Sequence, residues 1–173
     1  MTKYWALGAS ALLVGVDQLI KYWAQTVLST LQSLAVIPNL FYLTYVRNYG
    51  AAFGILNGKT SLLTGMVCIV LVAALYLLLT DKIKNPFMVW SVCLVIAGGA
   101  GNLIDRIMNG YVVDYLDFSS LFGFPVFNLA DCCVVVGTFL ILIYILFLDQ
   151  PPKDVQPEAA ETQPEEPDNI EEA

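Results

Sequence analysis

The chain has 173 residues, 58% of them hydrophobic and 13% charged, and a mean hydropathy of +0.70; a soluble domain is nearer half apolar and a quarter charged, so the composition is that of a membrane protein. It contains no histidine, which excludes Ser-His-Asp and Cys-His catalysis, HExxH zinc sites and histidine proton relays. The net charge of −7 belongs to the chain end: all six Glu lie in 158–172, whereas residues 1–150 hold seven Asp against seven Lys and Arg, and no basic patch invites a nucleic acid.

A helix needs roughly 20 residues to cross a bilayer core about 30 Å thick. Residues 4–16 are apolar and are followed by Asp17, Gln18, Lys21 and Gln25. At about 100° per residue these four fall on one narrow stripe that a helix hides against its neighbours. The first span is therefore placed at 3–27 and is expected to be retained, although small residues at Ala9 and Ala11 behind Lys3 also resemble a cleavable signal peptide. Residues 28–59 are broken by Pro38-Asn39, and LFYLTYV (40–46) has the aromatic and β-branched content of a short strand. This segment predicts a small β-containing element at the membrane surface. Further spans are predicted at 60–80, 85–107 and 126–148, the second and third of these joined through GNLIDR and YVVDYLDF. From Pro151 the chain is rich in Pro and Glu and lacks aromatics, which predicts a disordered acidic tail over 151–173 behind a membrane domain of 1–150. The predicted fold is thus an all-α membrane protein of four transmembrane helices, with a small extracytoplasmic β element between the first two.

Alternating helix directions bring the costly polar groups to one membrane face: Asp17 and Lys21, the RNYGAAFG motif (47–54), GNLIDR (101–106), VVDYLDF (112–118) and FNLAD (127–131). Several have simple structural readings. Asp17 and Lys21, at i and i+4, suit an ion pair; Gly98, Gly99 and Gly101 suit close helix packing; Asn102, Asp105 and Arg106 share a helix face; Asp117 suits a solvated or capping residue; Asn48-Tyr49-Gly50 suits a turn. The four cysteines all fall in apolar runs and read as small buried hydrophobes. Asp114 and Asp131 resist such readings, because neither has a basic residue nearby and Asp131 lies inside an apolar helix, with Asn128 one turn earlier. Two carboxylates facing each other at a membrane boundary share one proton, the arrangement of aspartic proteases. In an extended segment Asp117 points away from Asp114. Two other classes remain open. One is a small proton- or cation-coupled carrier using Asp17, Asp114 and Asp131; the other is a serine enzyme at Ser119 or Ser120, for which no lysine base lies near.

DQLIK (17–21), RNYGAAFG, GNLIDR, VVDYLDF and FNLAD, in this order on four spans, resemble the motifs of the lipoprotein signal peptidase (signal peptidase II) family over about residues 4–148. The resemblance implies an aspartic endopeptidase of the bacterial inner membrane, without metal or cofactor. Its implied substrates are prolipoproteins carrying a diacylglyceryl group, cut just before the lipidated cysteine, and membrane lipids surround it. Asp114 and Asp131 are the implied catalytic pair. Asp17, Lys21, Asn48, Gly50, Asn102, Asp105, Arg106, Asn128 and Ala130 match positions that shape or support the site. Lys and Arg counts lean weakly toward cytoplasmic termini: Lys3, Lys82, Lys84 and Lys153 lie with the termini, Arg47 and Lys59 opposite, once Lys21 and Arg106 are set aside as partnered. That orientation places the site near the extracytoplasmic face.

Overall fold

The computed structural model describes residues 1–51 and 55–149. The predicted acidic tail and the last three residues of RNYGAAFG lie outside the described residues. Helix α1 (Thr2–Trp23) runs on through a π-helical turn (Ala24–Leu28) into the short α2 (Ser29–Leu31). Strands β1 (Ser33–Ile37) and β2 (Phe41–Asn48) follow, then α3 (Thr60–Leu79) and α4 (Pro86–Asn109). The chain closes with β3 (Val112–Asp117), α5 (Ser119–Phe122) and α6 (Leu129–Ile143), which continues as a π-helical turn to Leu148.

Among the described residues three helices are long and apolar enough to cross a membrane, Thr60–Leu79, Pro86–Asn109 and Leu129–Leu148. Helix α1, which carries Lys3, Asp17, Gln18 and Lys21, is not one of them, so composition marks three helices where the sequence reading placed four spans. Helix α4 is the centre of the bundle and packs against α1, α3 and α6. Its start is set by Asn85, whose side chain accepts from the amides of Phe87 (2.8 Å) and Met88 (3.3 Å), with Pro86 in the first helical position where its missing N–H costs nothing. Ala6, Leu71, Leu78, Val89, Val92 and Ile96 form the core between α1, α3 and α4.

The glycines of α4 let helices touch backbone to backbone. A Cβ at Gly98 meets the carbonyl oxygen of Ala130 on α6, and one at Gly101 comes within 2.6 Å of Asp17 Oδ2 on α1. Gly110, at φ 78°, ends α4 in the left-handed conformation that closes a helix cheaply, and the chain turns directly into β3.

The sheet differs from the predicted element. It has three antiparallel strands in the order β1-β2-β3, and its third strand is VVDYLD (112–117), contributed from beyond α4. The strand predicted at 40–46 is β2, one of a hairpin pair whose turn places Pro38 before Asn39 at φ 63°, the type II pattern. Sheet and helix meet where Ala24 and Leu28 bury against Val113 and Tyr115. Phe127, predicted to lie in the last span, instead pairs with Leu116 of β3, so α6 starts at Leu129.

Candidate active site

Three elements converge beside the sheet: the second half of α1, the end of α4 and the start of α6. Asn128 caps α6 by a reciprocal box. Its Oδ1 accepts from the Asp131 amide at 2.9 Å, and Asp131 Oδ2 accepts from the Asn128 amide at 3.3 Å. That box fixes the Asp131 side chain at the mouth of the helix. On β2 and β3, Val46 pairs with Asp114, and Asn48 lies two residues along the same face.

Lys21 is almost wholly buried and lies 3.0 Å from Asp17 Oδ2 and 3.1 Å from Asp105 Oδ2. The pair predicted at i and i+4 is thus part of a buried triad. Gln18 closes it, donating toward Asp17 Oδ2 (3.3 Å), Asp105 Oδ1 (3.2 Å) and the Gly101 carbonyl (3.1 Å). Asp105 also accepts from the Val113 amide at 3.0 Å and Asp17 from the Ala130 amide at 3.1 Å, so the triad ties α1, α4, β3 and α6 together.

The third donor of Lys21 goes to Asn102 Oδ1 at 2.9 Å. An ammonium only donates, so this contact fixes the amide orientation and sends Asn102 Nδ2 to Asp131 Oδ1 at 2.6 Å. The same logic sends Asn128 Nδ2 to Asp114 Oδ1, also at 2.6 Å. Asn48 Nδ2 completes the set at Asp114 Oδ2, 2.9 Å away. Every oxygen of Asp114 and Asp131 therefore accepts an N–H, yet among the described residues neither carboxylate has a salt bridge.

Both carboxylates line one cavity of about 740 Å³ whose walls are largely apolar, with Val126, Phe127, Val134 and Val135 among them. Asn102 and Arg106 line it too, and Arg106 reaches across to the Gly50 carbonyl at 3.1 Å. Asp114 is only 1% exposed. Burial, then the neighbouring charge of Asp131, push its carboxyl up to about 7, against the pull of the Asn48 and Asn128 donors. A carboxyl that titrates near neutrality beside a second carboxylate can hold one proton between the two.

The structure brings Asp17, Lys21, Asn48, Asn102, Asp105, Arg106, Asn128 and Asp131 into one connected network around Asp114, and Gly50 and Ala130 join it through backbone atoms. It separates Asp117, which lies on the other face of β3 and accepts from Thr44 Oγ1 (2.7 Å) and the Ser119 amide (2.9 Å). Burial alone raises that carboxyl, but the Ser119 and Thr44 bonds outweigh it and leave Asp117 below the usual carboxylate range. Asp117 is thus a capping residue but, at 9% exposure, not a solvated one. Sequence reasoning missed the hydrogen bond from the Leu129 amide to Tyr115 OH at 3.2 Å, for which no local pattern gives a signal. It saw Gln18 only as part of a stripe. The cysteines are free, Cys93 and Cys133 buried and Cys68 and Cys132 half-buried. Among the described residues no three His, Cys, Asp or Glu side chains are disposed to hold a metal ion.

Fold and site together define a helical membrane protein in which two carboxylates, Asp114 buried and Asp131 half-buried, face one apolar cavity. Comparison with known proteins narrows the class. The signal peptidase (SPase) II family model matches residues 9–147. A lipoprotein signal peptidase of Clostridium acetobutylicum is 44% identical over 136 residues, covering 78% of this chain and 88% of the relative. One from Staphylococcus aureus (strain JH9) is 40% identical over 152 residues, covering 84% and 93%. A bacterial membrane enzyme solved by the in meso method at 2.3 Å superposes with a TM-score of 0.75 at 37% identity, over 82% of this chain and 87% of that one. The chain belongs to the signal peptidase II family and is a membrane peptidase. These relatives are peptidases, and the carrier alternative is set aside.

Proposed function

We propose that this protein removes the signal peptide from diacylglyceryl-modified prolipoproteins by cutting before the lipidated cysteine, with Asp114 and Asp131 as its catalytic pair. The observation that carries the assignment is the shared cavity, in which two carboxylates are held by four N–H donors and, among the described residues, form no salt bridge. Asp131 stands at the positive end of the α6 dipole and is the ionised member. It takes a proton from water as the water oxygen attacks the scissile carbonyl. Asp114, protonated around neutrality, donates to the carbonyl oxygen where negative charge develops. Collapse of the tetrahedral intermediate breaks the C–N bond: the proton on Asp131 passes to the leaving nitrogen, and Asp114 takes its proton back as the carbonyl re-forms.

The remaining residues support this pair. Lys21, Asp17 and Asp105 fix Asn102, which aims Asp131; Asn48 and Asn128 aim Asp114. The Arg106 bond to Gly50 holds the chain after β2 against the end of α4 at the cavity. The apolar walls suit a substrate that is itself a hydrophobic helix joined to acyl chains. In this reading residues 1–150 form the peptidase domain, α1 is a fourth crossing over about 3–27, both termini are cytoplasmic, and the sheet and site face the outside of the inner membrane.

The test presents purified protein with one precursor in diacylglyceryl-modified and unmodified forms. Mass spectrometry should find cleavage of the modified form alone, with the lipidated cysteine at the new N-terminus. Equal cleavage of both forms, or of neither, contradicts the substrate assignment.

A further inference from the structure

The first four amides of a helix have no acceptor inside the helix. At α6 four different side chains take all four: Asp131 Oδ2 the amide of Asn128 (3.3 Å), Tyr115 OH that of Leu129 (3.2 Å), Asp17 Oδ1 that of Ala130 (3.1 Å) and Asn128 Oδ1 that of Asp131 (2.9 Å). The two bonds between Asn128 and Asp131 fix Asp131 only within its own helix. The other two fix the helix start in space, one to α1 and one to β3.

The bond to β3 has a particular consequence. Tyr115 directly follows Asp114, so the two side chains leave opposite faces of one strand. The Tyr115 ring is 4% exposed and packs with Ala24, Leu28 and Val113, which leaves its hydroxyl little freedom. We propose that Tyr115 is a positioning residue: by holding the Leu129 amide it sets where Asp131 stands relative to Asp114. The proposal rests on the reading of those aspartates as the catalytic pair. Burial pushes the Tyr115 phenol well above its ordinary value, so the hydroxyl stays intact throughout the range in which carboxylates work.

The bond can be removed from either side. Tyr115→Phe deletes the acceptor and keeps the ring. Leu129→Pro deletes the donor at the first helical position, where proline is favoured, and Asn128 before it already has the extended backbone (φ −138°, ψ 177°) that a following proline requires. Each variant should lower kcat about tenfold with KM changed less than about twofold, because a small misplacement of a reacting group acts on the chemical step. The double variant should be no worse than either single one. A folded Tyr115→Phe enzyme with parental kcat and only a lower Tm overturns the proposal, as do losses that multiply in the double variant. If Tyr115→Phe fails to fold, a parental kcat in Leu129→Pro decides against it equally. Asp131→Asn, assayed alongside, separates the two claims. If it is inactive while Tyr115→Phe is fully active, only the positioning role falls; if it is active, the assignment of the pair falls first.

Discussion

Lys21 Nζ lies 2.9 Å from Asn102 Oδ1, and that contact decides which end of the Asn102 amide meets Asp131. One buried ammonium thus neutralises part of the charge of Asp17 and Asp105 and orients a donor on a carboxylate it does not itself touch. Removing it leaves two buried carboxylates unpaired. Lys21→Ala should cost about 3–5 kcal/mol of stability and reduce turnover in whatever protein remains folded. Lys59→Ala, at the exposed start of α3, should stay within about 0.5 kcal/mol. Thermal melting and cleavage rate of the two variants check this, and equal behaviour contradicts the network.

The α4 glycines give a graded prediction. Gly98→Ala sets a methyl against the Ala130 carbonyl, which is backbone and cannot yield without moving α6; loss of about 1–3 kcal/mol or more is expected. At Gly99 the new methyl meets only the end of the Leu71 side chain at 3.0 Å and should be tolerated at less than about 1 kcal/mol. Gly65→Ala, with nothing within 4 Å, should be neutral or stabilise α3 by up to about 1 kcal/mol. Melting temperatures should rank the three variants in that order.

Most of the helical frame was legible in the sequence, because runs such as 60–80 are long, apolar and uncharged. The clustering of the motifs was legible too, since helix direction alone brings the ends of α1 and α4 and the start of α6 to one level. What escaped was tertiary. YVVDYLD reads as a connection because two aspartates interrupt its apolar residues, and only pairing with β2 makes it a strand. The α6 boundary moved to Leu129 because Phe127 pairs with Leu116, a contact no helical periodicity encodes. The divergence of Asp114 and Asp117 needed only extended backbone, which β3 supplies.

The raised Asp114 carboxyl makes stability depend on pH in a definite direction. Its folded value of about 7 exceeds the ordinary 3.8, so over that interval the folded chain binds more protons than the unfolded one. Its contribution to stability is then full at low pH, falls as pH rises through the interval, and is lost above about 7. Asp114→Asn has no such titration. The difference in Tm should shift toward the variant by several degrees between about pH 4 and about pH 8. A difference that stays constant contradicts the raised carboxyl. In the parent enzyme, turnover should decline above about pH 7 as the shared proton is lost.

The most direct test measures cleavage of lipidated precursor by Asp114→Asn, Asp131→Asn, Asp117→Asn and the Asp114→Asn/Asp131→Asn double variant, with thermal melting as the control for folding. Asparagine keeps the size and hydrogen bonding of aspartate but can neither take a proton from water nor share one. The first two variants should each lose several orders of magnitude, on the order of 10³-fold or more, with the double variant scarcely worse because the pair acts as a unit. Asp117→Asn should retain most of its activity, since Asp117 faces Thr44 and Ser119 and not the cavity. An inactive Asp117→Asn beside an active Asp114→Asn would contradict the account at its centre.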